Sequence, residues 1–179
     1  PVGTALSDKN IADHIGALVV TNDVSARDLQ LPKTQFFEAK SYPTFTPTGP
    51  RLVLLEAGDW ERFGELRLNL WVNGELRQSA VVAEDMLYPP LEALQSLAGF
   101  QPLEAGDLVL TGTPGGTALK APARPIEILG ALLPPATKWR AFFKAQAKNP
   151  KYLSDGDVVE VQVVTGDGTG DLRTLGVLG

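Results

Sequence analysis

Asp23, Arg27 and Gln30 are separated by four and then three residues. On a helix that spacing sets a carboxylate, a guanidinium and an amide on one face. They follow the apolar run of residues 17–20, short and β-branched enough for a buried strand. They precede Leu31-Pro32, where a helix is expected to end. Such groups converging at a strand end suit a divalent cation beside a carboxylate substrate. A plainer reading has Asp23 capping the helix and pairing with Arg27 at i,i+4. Lys40 is the next candidate, either a charge for the chemistry or an exposed lysine. Residues 111–116, Thr-Gly-Thr-Pro-Gly-Gly, form a Gly-rich loop after the apolar run 108–110. Its amides could cradle an anion, or it is simply a mobile turn. It lacks the lysine and spacing of a P-loop. His14, the only histidine, reads as a surface or packing residue.

The elements around these residues are mostly strands. Ser7 can cap a helix over residues 8–15 that buries Ile11 and Ile15 and stops at Gly16. Residues 31–48, with three prolines and mixed aromatic and polar side chains, form a working loop; Phe37, Tyr42 and Phe45 in it could shield Lys40. A strand is expected over 51–55. Leu66, Leu68, Leu70 and Val72 alternate with polar or amphipathic residues before Asn73-Gly74, which predicts a β-hairpin with a type I′ turn. Pro89-Pro90 opens a helix through Leu97, stopped by Gly99. Gly58-Asp59, Gly106-Asp107 and Gly156-Asp157 mark turns into strands. Residues 120–150 read as an insertion, helical from about Pro135 to Ala147. Its Trp139, Phe142 and Phe143 should be mostly buried on the chain's own core or a dimer mate, rather than face a membrane or partner. Last come a strand over 157–164 and a returning one over 172–178. The architecture is therefore α+β, strand-rich and antiparallel, with few peripheral helices.

With 179 residues, 44% of them hydrophobic, the chain suits one domain with a core. Its net charge of −5 argues against nucleic acid as a main partner. The absence of cysteine excludes disulfides, thiolate catalysis and cysteine-type zinc sites. No apolar run reaches the length of a membrane span and no signal peptide is evident, so a cytoplasmic protein is expected.

The stretch Asn22-Asp23-Val24-Ser25-Ala26-Arg27-Asp28-Leu29-Gln30 resembles the signature of the fumarylacetoacetate hydrolase family. So do Lys40-Ser41 leading to Thr44, Pro47-Thr48-Gly49-Pro50 and Trp71-Val72-Asn73-Gly74-Glu75. The match continues through residues 106–114 and 155–159, in family order across nearly the whole chain. The resemblance implies a mixed, strand-rich β-roll over residues 1–179, usually a homodimer. It implies chemistry on dioxo acids or dienoates through a metal-stabilised enolate. Carbon–carbon hydrolysis of a 2,4-dioxo acid is the first expectation, with decarboxylation or isomerisation of 2-hydroxydienedioates in aromatic catabolism beside it. Asp23 then matches the metal-binding aspartate, for Mg²⁺ or else Mn²⁺ or Ca²⁺. Arg27, Gln30, Thr44 and Thr113 match residues that contact substrate, and Lys40 matches the active-site lysine.

These roles agree with general chemistry. A hard cation takes neighbouring oxo oxygens and stabilises an enolate, Arg27 offers a fixed fork for a carboxylate, and Lys40 supplies positive charge where negative charge develops. The family's two other metal-binding glutamates fall upstream of the region matching Pro1 to Gly3, and Glu160-Val161-Gln162 does not replace them. The resemblance therefore implies a catalytic domain whose N-terminal part precedes Pro1, or a non-catalytic relative without the metal.

Overall fold

The computed structural model describes residues 6–7, 10–56, 58–119, 124–168 and 171–177. A 3₁₀ turn over Ile11–His14 leads into β1 (Ala17–Thr21), then α1 (Arg27–Lys33), a 3₁₀ turn over Glu38–Lys40 and β2 (Thr48–Leu54). A third 3₁₀ turn (Asp59–Glu65) precedes the hairpin of β3 (Arg67–Val72) and β4 (Glu75–Val81). The helices α2 (Val82–Asp85), α3 (Pro90–Ala98), α4 (Arg124–Ala131) and α5 (Pro135–Gln146) follow, then β5 (Val158–Val164) and β6 (Asp171–Val177).

β1 and β2 form an antiparallel ribbon, and β4-β3-β5-β6 form a four-stranded antiparallel sheet. Alternation decides which face is buried. Leu68, Leu70 and Val72 lie opposite Val163, Val161 and Val159, so six branched side chains share one face. Val20 from β1 joins Val72, Val159 and Val161 in the core, with Leu70 and Val163 packed against them. The opposite face is polar: Asn69 Nδ2 donates to Gln162 Oε1 at 3.2 Å. Burial of the end of β1 in that core fixes where the next residues, Asn22 and Asp23, emerge.

The expected hairpin forms, with Asn73 at φ 50° and Gly74 at φ 79°, both left-handed as a type I′ turn requires. The expected helix after Pro89 runs over Pro90–Ala98 and ends at Gly99. Other expectations change. Residues 108–110 are exposed coil, not a strand. The first helix is a single 3₁₀ turn, and residues 8–9 of its expected span lie outside the described residues. Ser7 does not cap it with its hydroxyl; its carbonyl accepts the Asn10 and Ile11 N–H groups. The 120–150 segment holds two helices instead of one. Trp139, Phe142 and Phe143 are half-buried and packed on one another, with ring centroids 5.3–5.9 Å apart. Among the described residues, no helix is long and apolar enough to cross a membrane.

The three Gly-Asp pairs share one construction. Each aspartate donates its backbone N–H to the carbonyl three residues back, on Glu56, Glu104 or Ser154. Each carboxylate accepts the N–H of that same residue at 2.8 Å. Gly58, Gly106 and Gly156 hold the positive φ between them, which suits a type II turn. At Asp157 the turn is also tied to the hairpin tip: Asn73 Nδ2 donates to its Oδ1 at 2.7 Å, and the Val158 N–H donates to Asn73 Oδ1 at 2.9 Å. The Ser154 N–H and then the Asn73 amide hold the Asp157 carboxyl below the usual carboxylate range. A depressed acid contributes stability above its unfolded pKa, about 3.9, and loses it as pH falls through the folded value. The gap in melting temperature between the protein and its Asp157→Asn variant should therefore narrow as pH drops below about 4. A gap constant from neutral pH to pH 3 would contradict this.

Candidate active site

The end of β1 is laced to the returning loop. The Asn22 N–H donates to the Pro47 carbonyl at 3.2 Å and the Ala26 N–H to the Ala39 carbonyl at 2.9 Å. Ala39 is fully buried beneath the crossing. Ala26 is held extended by this bond, so α1 starts only at Arg27, with Ala26 as N-cap. Asp23 is thus neither a cap nor an i,i+4 partner of Arg27, which corrects that reading. It sits in coil between the two ties, facing the loop, and its Oδ2 takes the Lys40 ammonium in an ion pair. Both side chains are partly buried, 32% exposed for Lys40 and 23% for Asp23. Asp23 Oδ1 is buried and has no hydrogen-bond partner among the described residues.

Arg27 donates instead to Gln30 Oε1, three residues on along α1. Gln30 is buried, so its amide fixes the guanidinium from below. The helix passes through Pro32 to Lys33 rather than stopping before it. Phe37 is 82% exposed, so it does not shield Lys40; Tyr42 and Phe45 make a tilted ring pair at 5.6 Å. Thr44 and Thr46 hold left-handed backbone, at φ 70° and 54°. That conformation is unfavourable for a β-branched residue, so the path of the loop is imposed by the bonds at its ends. Thr44 is exposed, and neither it nor Thr113 makes a hydrogen bond to Asp23, Lys40, Arg27 or Gln30 among the described residues.

The Gly-rich loop is fastened to β4. The Gln78 side chain, itself buried, donates to the carbonyls of Pro114 at 2.8 Å and Gly115 at 3.2 Å. Gly116 packs on the Arg77 backbone: a Cβ there would lie 2.3 Å from the Arg77 carbonyl oxygen. Further on, Asn149 Nδ2 donates to the Ala118 carbonyl at 3.0 Å. Gln78 and Asn149 are positioning residues that motif reading passes over. A shallow apolar recess of about 260 Å³ between Trp60, Phe63, Val82, Met86 and Pro90 includes none of the site residues.

The donor set fits a divalent cation in part. Asp23 Oδ1 is a buried carboxylate oxygen with nothing bonded to it, which a cation would take. The other oxygen is held by Lys40, and no group of three acidic or histidine side chains gathers among the described residues. These residues do not by themselves complete a site for Mg²⁺, Mn²⁺ or Ca²⁺.

The strand-end aspartate is paired to a loop lysine, and a guanidinium stands at the start of the next helix. The family model for the fumarylacetoacetate (FAA) hydrolase C-terminal region matches residues 1–176, and the chain belongs to this family. Oxaloacetate tautomerase YisK of Bacillus subtilis is 41% identical over 114 residues, covering 64% of this chain and 37% of that protein. A probable 2-hydroxyhepta-2,4-diene-1,7-dioate isomerase from Mycobacterium abscessus superposes with a TM-score of 0.65 at 30% identity, over 96% of this chain and 53% of that one. A fumarylacetoacetate hydrolase from Exiguobacterium antarcticum gives 0.65 at 32% identity, over 99% and 52%. The chain thus spans about half the length of these solved relatives.

Proposed function

We propose that this chain carries the substrate-binding part of an enzyme that shifts a proton in a small oxo or hydroxydienoic acid, as an enol–keto tautomerase or double-bond isomerase. The observation that carries this reading is the Asp23–Lys40 pair, with one carboxylate oxygen buried and unpartnered among the described residues. In enol-to-keto conversion the hydroxyl proton leaves and a carbon gains one, passing through an enolate. Lys40, held by Asp23, offers fixed positive charge for that oxygen. The hydroxyl proton leaves to water and the carbon takes its proton from water, so the step balances while Asp23 Oδ1 stays available to a cation. Arg27, oriented by Gln30, takes a carboxylate with its planar fork. Thr44 and Thr113 are the loop residues that close on the same substrate. Support comes from the tautomerase and isomerase named among the similar proteins.

Carbon–carbon hydrolysis of a dioxo acid is the second reading, favoured by the similarity to the Exiguobacterium hydrolase. The test is spectrophotometric, on the intact protein. Faster decay of enol-oxaloacetate, or isomerisation of a 2-hydroxydienedioate, without cleavage of a 2,4-dioxo acid supports the proposal. Cleavage without any tautomerase or isomerase activity overturns it.

The same reading makes Asp23 one ligand of a divalent cation whose other ligands lie outside the described residues. Asp23→Asn is expected to lower Mg²⁺ affinity in calorimetric titration by at least about tenfold, because a neutral amide replaces the charged oxygen a hard cation prefers. Unchanged affinity would remove Asp23 from the ligand set. A homodimer belongs to the proposal too; exposed Leu52 and Leu54 on β2 are apolar surface that an interface would cover.

A further inference from the structure

From Ile128 to Ser154 the chain carries five cationic residues and no acidic one, in a protein whose net charge is −5. A helix face that only meets water ordinarily mixes both signs. The described ion pairs lie elsewhere, on Lys40, Arg62 and Arg77. Lys138, Arg140, Lys144, Lys148 and Lys151 are exposed and make no ion pair among the described residues. Positive charge is therefore gathered on the α4–α5 excursion and left without an internal partner there.

The helix sorts these charges onto one side. Arg140 and Lys144 stand one turn apart on α5, and Lys148 continues the row in the turn that follows the helix. The half-buried Trp139, Phe142 and Phe143 pack on one another on the other side. Between the cations lie the exposed Thr137, Ala141 and Ala145, all small, so the face is open. A second signal lies next to it. Ile126 and Ile128 on α4 are exposed, as are Leu132 and Leu133 in the turn before Pro134-Pro135, Leu132 at 78%. Four unshielded aliphatic side chains thus adjoin an unpaired basic row.

We infer that the α4–α5 excursion is a docking surface for an anionic lipid bilayer. The Arg140–Lys144–Lys148 row meets the headgroups and the Leu132-Leu133 turn enters the acyl boundary. Charge complementarity and apolar burial are the two signals that surface attachment requires together. Nucleic acid would engage the cations and leave the four aliphatic side chains in water. A folded protein partner needs a matching face of about 800 Å², whereas a fluid bilayer has no shape to match. The protein then lies on a membrane without crossing it. This attachment is independent of the oxo-acid reading and needs no activity.

The test is co-sedimentation of the intact protein with vesicles, one set of phosphatidylcholine alone and one with an equal part of phosphatidylglycerol. Binding is expected to the anionic set only, and to weaken as salt rises. Each basic residue at an anionic surface contributes about fivefold, so Arg140→Gln, Lys144→Gln and Lys148→Gln combined should weaken binding roughly 100-fold. Those side chains are exposed and make no ion pair among the described residues, so the melting temperature should hold. Leu132→Ser with Leu133→Ser keeps every charge and should weaken binding by about tenfold or more, through lost apolar burial. No sedimentation with anionic vesicles, equal sedimentation with both sets, or an affinity that survives either combined change overturns the inference. Capture of soluble polyglutamate without vesicle binding overturns the bilayer as occupant and assigns the basic row to an acidic protein partner.

Discussion

Lys40→Met is expected to lower turnover of an oxo-acid substrate about 10²–10³-fold, the typical effect of removing one preorganised charge from a developing oxyanion. The same change should cost little stability. Its ion pair with Asp23 is partly solvated, and pairs of that kind contribute about 1 kcal/mol or less. Large kinetic loss with a nearly unchanged melting temperature is the signature that separates an active lysine from a structural one. Methionine keeps the length and apolar stem of the side chain, so packing around Ala39 should persist. Steady-state kinetics on the intact protein, with thermal melts alongside, decide the matter. Wild-type kinetics would remove Lys40 from the mechanism and leave the Asp23–Lys40 pair as a clasp between β1 and the loop.

Gly116→Ala should destabilise the fold by roughly 2–5 kcal/mol. Left-handed backbone, here φ +101°, costs about 1–2 kcal/mol for a residue with a Cβ. Overpacking against a backbone oxygen at 2.3 Å adds about 1–3 kcal/mol. The obstacle is a backbone carbonyl at the bulge of edge strand β4, which moves less freely than the end of a side chain. Gly115→Ala is the control, because a Cβ there meets nothing within 4 Å. That variant should stay within about 0.5 kcal/mol of the parent. Denaturant melts of the pair give the comparison, and equal midpoints would mean that the loop does not press on β4. If Thr113 contacts substrate, Gly116→Ala should also raise KM, since the loop must shift to make room.

The local features of the fold were legible where one short stretch decides them. Asn73-Gly74 sets the hairpin turn by backbone preference alone, and the alternation of β3 marks its buried face. The role of Gln78 was not legible, because a bulge decides it. An unbroken register across a two-residue turn sets Gln78 opposite Asn69, on the polar face. The register shift beside Leu70 instead sets Gln78 opposite Leu70, and the amide turns inward to the Gly-rich loop. The site divides the same way. Residue types and order pointed to Asp23, Arg27, Gln30 and Lys40, but helical spacing paired Asp23 with the wrong cation. The bonds from Asn22 to Pro47 and from Ala26 to Ala39 are long-range, and they, not propensity, delay the helix. Residues 108–110 have the apolar composition of a strand, yet a strand needs a ladder partner, and none of the described strands provides one.

The bond from Asn149 to Ala118 has an evolutionary corollary. It staples together the two stems of the α4–α5 excursion, whose α5 also touches α1. Changes in length between the stems are expected to leave the Gly-rich loop in place as long as the staple and the face of α5 on α1 are kept. That excursion is the part of the chain that lineages can exchange like a cartridge, and a graft between relatives would cut most safely just inside the staple.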